Sequence, residues 1–138
     1  MQIDNALMPS GDQAAAFFKA ADIAPMVMVN LLKFRKLAEY PDGRNVGMTG
    51  REAYAIFGAV VQHCVMQVGG RLLFSGDVTG LLIGQVAELW DAVALTFYPN
   101  PQAMLEMVAL PDYRGIEVHR YAGLAGQLHI RTAPRFMP

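Results

Sequence analysis

Between Trp90 and Pro101 the chain reads Trp-Asp-Ala-Val-Ala-Leu-Thr-Phe-Tyr-Pro-Asn-Pro, and no other stretch constrains its folding as tightly. A mostly apolar run is cut off at Pro99. Asn100 then offers a side-chain oxygen as a helix N-cap, and Pro101 falls at the first helical position, where a missing N–H costs nothing. The stretch predicts a strand over Leu89–Tyr98 that hands over directly to a helix. Asp91, a charge inside an apolar strand, points to the opposite sheet face from Trp90.

The other elements follow from similar signals. Ser10 and Gln13 form a capping box ahead of the helix-forming run Ala14 to Ala21, so a short N-terminal helix is expected. Met26–Phe34 is apolar on both alternations, the mark of a strand covered on both sides. Lys36 to Gly50 carries Pro41-Asp42-Gly43 and Gly47 and reads as a long loop, either a lid or arm or an insertion without function. Thr49 and Glu52 make a second capping box for a helix ending at Gly69-Gly70. Its stripe is Tyr54, Phe57, Gly58, Val61, Val65 and Val68, which leaves His63 facing solvent.

Arg71–Phe74 and Leu81–Ile83 are short β runs, one bent strand or two pieces with a bulge, expected to pair with Leu89–Tyr98. The helix begun at Asn100 is interrupted at Pro111-Asp112 and resumes from Tyr113 to Ala122. A last strand spans Gln127–Thr132. Residues 1–24 are an N-terminal helical extension, and 25–138 an α+β domain in βαββαβ order. That order is the ferredoxin-like split unit, an antiparallel sheet with its helices on one face. The other face ought to be polar, yet Met26–Phe34 and Ala92–Phe97 leave it apolar, so a second sheet is expected to cover it in a homodimer.

Composition agrees. Eleven Lys and Arg against twelve Asp and Glu form no basic stripe, which argues against nucleic acid as a partner. Only 17 % of residues are charged and 54 % are hydrophobic, against about 25 % charged in an average soluble domain, so apolar surface is left for another subunit. The start of the chain lacks the pattern of a signal peptide, and no apolar run approaches the roughly 18 residues of a membrane span. A cytoplasmic protein that does not enter membranes is expected. The single cysteine, Cys64, lies among valines on a helix and reads as a buried structural thiol.

Met28–Phe34, Arg51-Glu52-Ala53-Tyr54, Trp90-Asp91 with Tyr98-Pro99, and Pro111-Asp112-Tyr113 with His119-Arg120 together resemble the bacterial family called domain of unknown function thirteen-thirty. The resemblance covers roughly Val27 to Thr132. It implies the dimeric α+β barrel superfamily, which holds cofactor-free monooxygenases, haem-degrading enzymes, muconolactone isomerases and ligand-sensing domains. It implies a fold and a dimer without naming a reaction. The N-terminal helix and the Lys36 to Gly50 loop depart from the family pattern.

Six residues stand out as candidate chemistry. Asn30, within an apolar strand, must hydrogen-bond either a ligand or a neighbouring loop, since an unpaired buried amide costs about 1 to 3 kcal/mol. Asp91 is a base with a raised pKa or the ion-pair partner of Arg114 or Arg120. Trp90 is a ligand platform or core filler. His119 lies one turn after Gly115, where it either transfers a proton over a glycine notch or complements the end of a helix together with Arg120. Asn30, Trp90 and His119 also follow the order of residue types used by some oxygenases of the superfamily, a fold-level analogy.

No phosphate loop, nucleophile elbow or metal-ligand spacing occurs, and the histidines at 63, 119 and 129 do not pair on a helix, so no cofactor or metal is expected. The leading expectation is a cofactor-free enzyme of monooxygenase or isomerase type acting on a hydrophobic, carbonyl-bearing or aromatic metabolite. In it Asn30 and Trp90 bind substrate, Arg114 or Arg120 holds an anionic group, and His119 with Asp91 performs the chemistry. The alternatives are a noncatalytic ligand-binding or sensing dimer and a purely structural assembly partner.

Overall fold

The computed structural model of the protein describes residues 1–138. It is an α+β structure built from α1 (Gly11–Phe17), β1 (Met26–Phe34), α2 (Gly50–Gln67), β2 (Arg71–Asp77), β3 (Ala92–Tyr98), α3 (Pro101–Ala109), α4 (Pro111–Gly123) and β4 (Leu124–Thr132). The strands form one sheet in the order β2-β3-β1-β4, and each neighbouring pair is antiparallel. This is the ferredoxin-like arrangement, with β1 and β3 central. No helix is long and apolar enough to cross a membrane.

The caps act where the sequence puts them. Ser10 accepts from the Gln13 N–H, Thr49 from Glu52 and Asn100 from Ala103, each holding an otherwise orphaned donor. Gly69 takes φ 84° just past α2, a conformation that favours glycine. Three expectations change. Leu81–Ile83 is not a strand: β2 stays one piece with a register shift between Leu72 and Phe74, and the three apolar residues lie exposed in the connection to β3. β3 begins at Ala92 rather than Leu89; Asp91, just before it, still gives its N–H to the Leu32 carbonyl at 2.8 Å, while its carboxylate accepts from the Phe34 N–H. α1 stops at Phe17, short of Ala21.

One face of the sheet carries Met26, Met28 and Tyr98, packed with Cys64 and Val65 of α2 and Met104 and Met107 of α3. A second cluster, Leu32, Ala92 and Leu124, closes the opposite end of the same face. There α2 and α4 meet through glycines, and a Cβ on Gly50 would stand 2.6 Å from the Gly123 carbonyl oxygen. The reverse face has no helix. Directly paired residues share a face, so it presents Val27, Val29 and Leu31 of β1, Val93, Leu95 and Phe97 of β3, Leu128 and Ile130 of β4 and Phe74 of β2. Phe74 and Ile130 are exposed on it.

Candidate functional site

Rows of paired side chains cross the helix-covered face. In the row Leu72–Thr96–Met28–Arg131, Thr96 is 8 % and Met28 2 % exposed; in the row Asp77–Ala92–Leu32–Gln127, Leu32 is 2 % exposed. The row between them, Ser75–Ala94–Asn30–His129, is different. Asn30 and Ala94 keep part of their surface open, and Ser75 and His129 are exposed. At the two central strands the flanking rows are covered and this one is not, and from that open surface we infer a candidate hollow between the sheet and the helices.

Its polar side is a chain of hydrogen bonds. Asn30 Nδ2 donates to the Ala94 carbonyl at 3.3 Å, and Asn30 Oδ1 accepts from Gln127 Nε2 at 2.7 Å. Arg120 Nη2, from α4, donates to Gln127 Oε1 at 2.7 Å and to the Leu7 carbonyl at 2.8 Å. The half-buried Arg120 forms no ion pair with a carboxylate. The apolar side is a ladder of rings, with centroids 5.5 Å apart for Phe34–Tyr54, 5.4 Å for Tyr54–Phe57 and 5.7 Å for Phe57–Tyr113.

Electrostatics follow from the enclosure. The Tyr54 phenol is pushed up to about 12 by burial, against the pull of Arg120. His129 is pulled down to about 4 by loss of water around the ring, and secondarily by Arg120. The residue as a whole keeps exposed surface, while its ring is closely walled by protein. At neutral pH both groups are uncharged, and Arg120 is the cation of the network.

The residues singled out in the sequence separate into several places. Asn30 and Arg120 come together here. Asp91 does not pair with either arginine: its Oδ2 accepts from the Phe34 N–H at 2.8 Å and its Oδ1 lies 3.4 Å from Lys33 Nζ, which pins the end of β1. Trp90 Nε1 donates to Asn5 Oδ1 at 2.9 Å and tethers the N-terminal segment. Arg114 is exposed on α4.

His119 is on the other side of α4 from the hollow. Successive helical residues point about 100° apart, so Arg120 reaches Gln127 while His119 Nδ1 meets the Tyr40 hydroxyl at 2.7 Å. Burial lowers the His119 pKa, and Arg44, stacked on Tyr40, lowers it further. The Lys36 to Gly50 loop accordingly packs its buried Tyr40 beside α4 and is closed by the Leu37–Thr49 bridge.

Sequence reasoning passed over Gln127, His129 and Tyr54 as site residues. Their signal was the alternation of Gln127, His129 and Arg131 with Leu128 and Ile130, which makes one face of β4 polar; register then sets that face toward the helices.

Over 98 % of its length and 100 % of the other chain, the protein is similar to RPA0582, a protein of unknown function from Rhodopseudomonas palustris, at 34 % identity and a TM-score of 0.83. The methylated RPA0582 protein matches at 35 % identity and 0.85, over 97 % of this chain and 98 % of that one. A dimeric protein of unknown function with a ferredoxin-like fold from Bacteroides fragilis NCTC 9343 is similar at 10 % identity and 0.47, over 80 % of this chain and 96 % of its own. No protein-family model and no curated protein matches the chain.

Proposed function

The chain belongs to the family of RPA0582 from Rhodopseudomonas palustris, and from that footing we propose that it is a small-molecule-binding homodimer of the dimeric α+β barrel type, within the family of domain of unknown function thirteen-thirty. The ligand is a partly apolar compound that carries an oxygen acceptor. It lies in the hollow between the sheet and α2 and α4, with its flat or aliphatic part along Tyr54 and Phe57 and its polar end toward Asn30, Gln127 and Arg120. The observation that carries this reading is the uncovered Asn30 row between two covered rows.

Binding without turnover is favoured over a cofactor-free oxygenase or isomerase. Efficient proton transfer uses a group whose pKa lies near the working pH. Here His129 is moved to about 4 and Tyr54 to about 12, and His119 faces the loop instead. The homodimer reading rests on the helix-free face, where Phe74 and Ile130 are exposed and Val29, Leu31, Val93, Leu95 and Phe97 keep part of their surface open.

Thermal shift across a panel of aromatic and aliphatic carboxylates and carbonyl compounds tests the hollow. A binder held at a hundredfold over its dissociation constant stabilises the protein by about 2.7 kcal/mol. Ala94→Leu fills the hollow from its floor and is expected to abolish that shift in a protein that still folds. A compound that stabilises wild type and Ala94→Leu equally would place its site elsewhere.

A further inference from the structure

The N-terminal segment has a relation to Arg120 that the fold does not require. Ala6 makes both backbone hydrogen bonds with Gln127, at 3.1 and 2.9 Å, and so flanks the outer edge of β4. Asn5 is held by Trp90, and the Met8 sulfur accepts from the Tyr121 hydroxyl at 2.9 Å. Farther along, Phe17 lies under the Arg131 guanidinium and Asp22 pairs with Arg131. The segment thus passes the β4 end of the hollow, from Gln127 on one side of His129 to Arg131 on the other. Apart from Leu7, which packs against Leu32, Ala92 and Leu124, residues 1–10 are exposed.

The second observation is the state of Arg120. A guanidinium is matched by the two oxygens of a carboxylate, and a charge-assisted pair is roughly twice as strong as a hydrogen bond between neutral groups. Arg120 has no such partner. Nη2 divides its donors between two neutral oxygens, one of them the Leu7 carbonyl, while Tyr121 lies beneath the guanidinium. Tyr54, Tyr113 and His129 all feel its charge.

The geometry points to residues 4–8 as a displaceable plug, with the Leu7 carbonyl occupying the place on Arg120 that a carboxylate ligand takes. This rests on the proposed hollow and adds both the ligand class and its control: an aromatic or aliphatic monocarboxylate, admitted when the segment leaves β4. The exchange substitutes a charged acceptor for a neutral one, and the affinity seen from outside is reduced by the fraction of molecules whose segment is in place.

Calorimetry with phenylacetate, and with phenylacetamide as the uncharged control, tests this on the full chain. Wild type is expected to bind phenylacetate and not the amide, and Arg120→Lys, which keeps the charge but not the fork, to bind it more weakly. Ala6→Pro removes the N–H given to Gln127; if the plug is open in about a tenth of wild-type molecules, it tightens phenylacetate binding roughly tenfold. Saturating phenylacetate should also speed hydrogen exchange at the Ala6 and Gln127 amides of wild type. Binding that depends on Arg120 but is unaffected by Ala6→Pro, with unchanged exchange at both amides, overturns the plug and leaves the hollow standing. If neither wild type nor Ala6→Pro binds phenylacetate, the hollow is not a carboxylate site and the plug falls with it.

Discussion

The two faces of β1 are built on opposite plans. Toward the helices it presents Met26, Met28, Asn30, Leu32 and Phe34, and the polar residue of that set lies beneath the helix layer. On the helix-free side it presents Val27, which is buried, and Val29 and Leu31, which are half-buried, with no polar side chain until Lys33. A sheet meant to keep one face in water would do the reverse. The comparison teaches that covering and polarity answer separate demands here: the apolar face is the one on which the proposed second subunit would sit, and the amide is on the face that carries the helices.

The largest effect that could break this comparison is on assembly. Leu95→Asp puts a charge at the centre of the helix-free face; an unpaired buried charge costs about 3–5 kcal/mol, so the affinity of the proposed dimer should fall by roughly two to four orders of magnitude while the monomer stays folded. Light scattering across a dilution series reads this directly, and an unchanged dimer would mean that the subunits meet elsewhere. Next, Met28→Ala in the covered row should cost about 2–5 kcal/mol, whereas Asn30→Ala in the open row should cost about 1–3 kcal/mol by leaving the Gln127 Nε2 without its acceptor. Urea denaturation of the pair sharpens the contrast; equal losses would mean that the rows are packed alike.

The pH dependence is a subtler test of the same face. The folded-state pKa of His129, about 4, lies below the unfolded value of about 6.5, so on acidification the unfolded chain takes up its proton first. Its contribution is complete above pH 6.5 and is lost as pH falls toward 4. His129→Gln should flatten that part of the stability curve. His119→Gln should have the smallest effect, about 0.5–1.5 kcal/mol for the bond to Tyr40, with phenylacetate binding unchanged. Weakened binding in that folded variant would return His119 to the site.

Local chemistry made most of the fold legible. The N-caps at Ser10, Thr49 and Asn100 and the full extent of Met26–Phe34 depend on neighbouring residues alone, and the structure has them as read. Leu81–Ile83 misled because a short apolar run looks the same in a strand and in an exposed loop. At the site, Asn30 and Arg120 were recognisable as polar residues needing partners, but their meeting through Gln127 is set by β-sheet register. That property belongs to pairs of strands far apart in the chain. The same limit hid the links of Asp91 to Lys33 and of His119 to Tyr40.

The glycine crossing of α2 and α4 has a consequence for how such a protein can diversify. A Cβ on Gly123 would stand 2.6 Å from the Gly50 carbonyl oxygen and 2.8 Å from the Tyr54 nitrogen, so main chain rests on main chain at this joint. The spacing of the helix pair is therefore fixed by atoms that no substitution elsewhere alters. Tyr54, Tyr113 and Arg120, which hang from those helices, can be exchanged for other side chains without resetting the height of the roof above the sheet. The proposed site can in this way be retuned to new ligands while the dimensions of the scaffold stay constant.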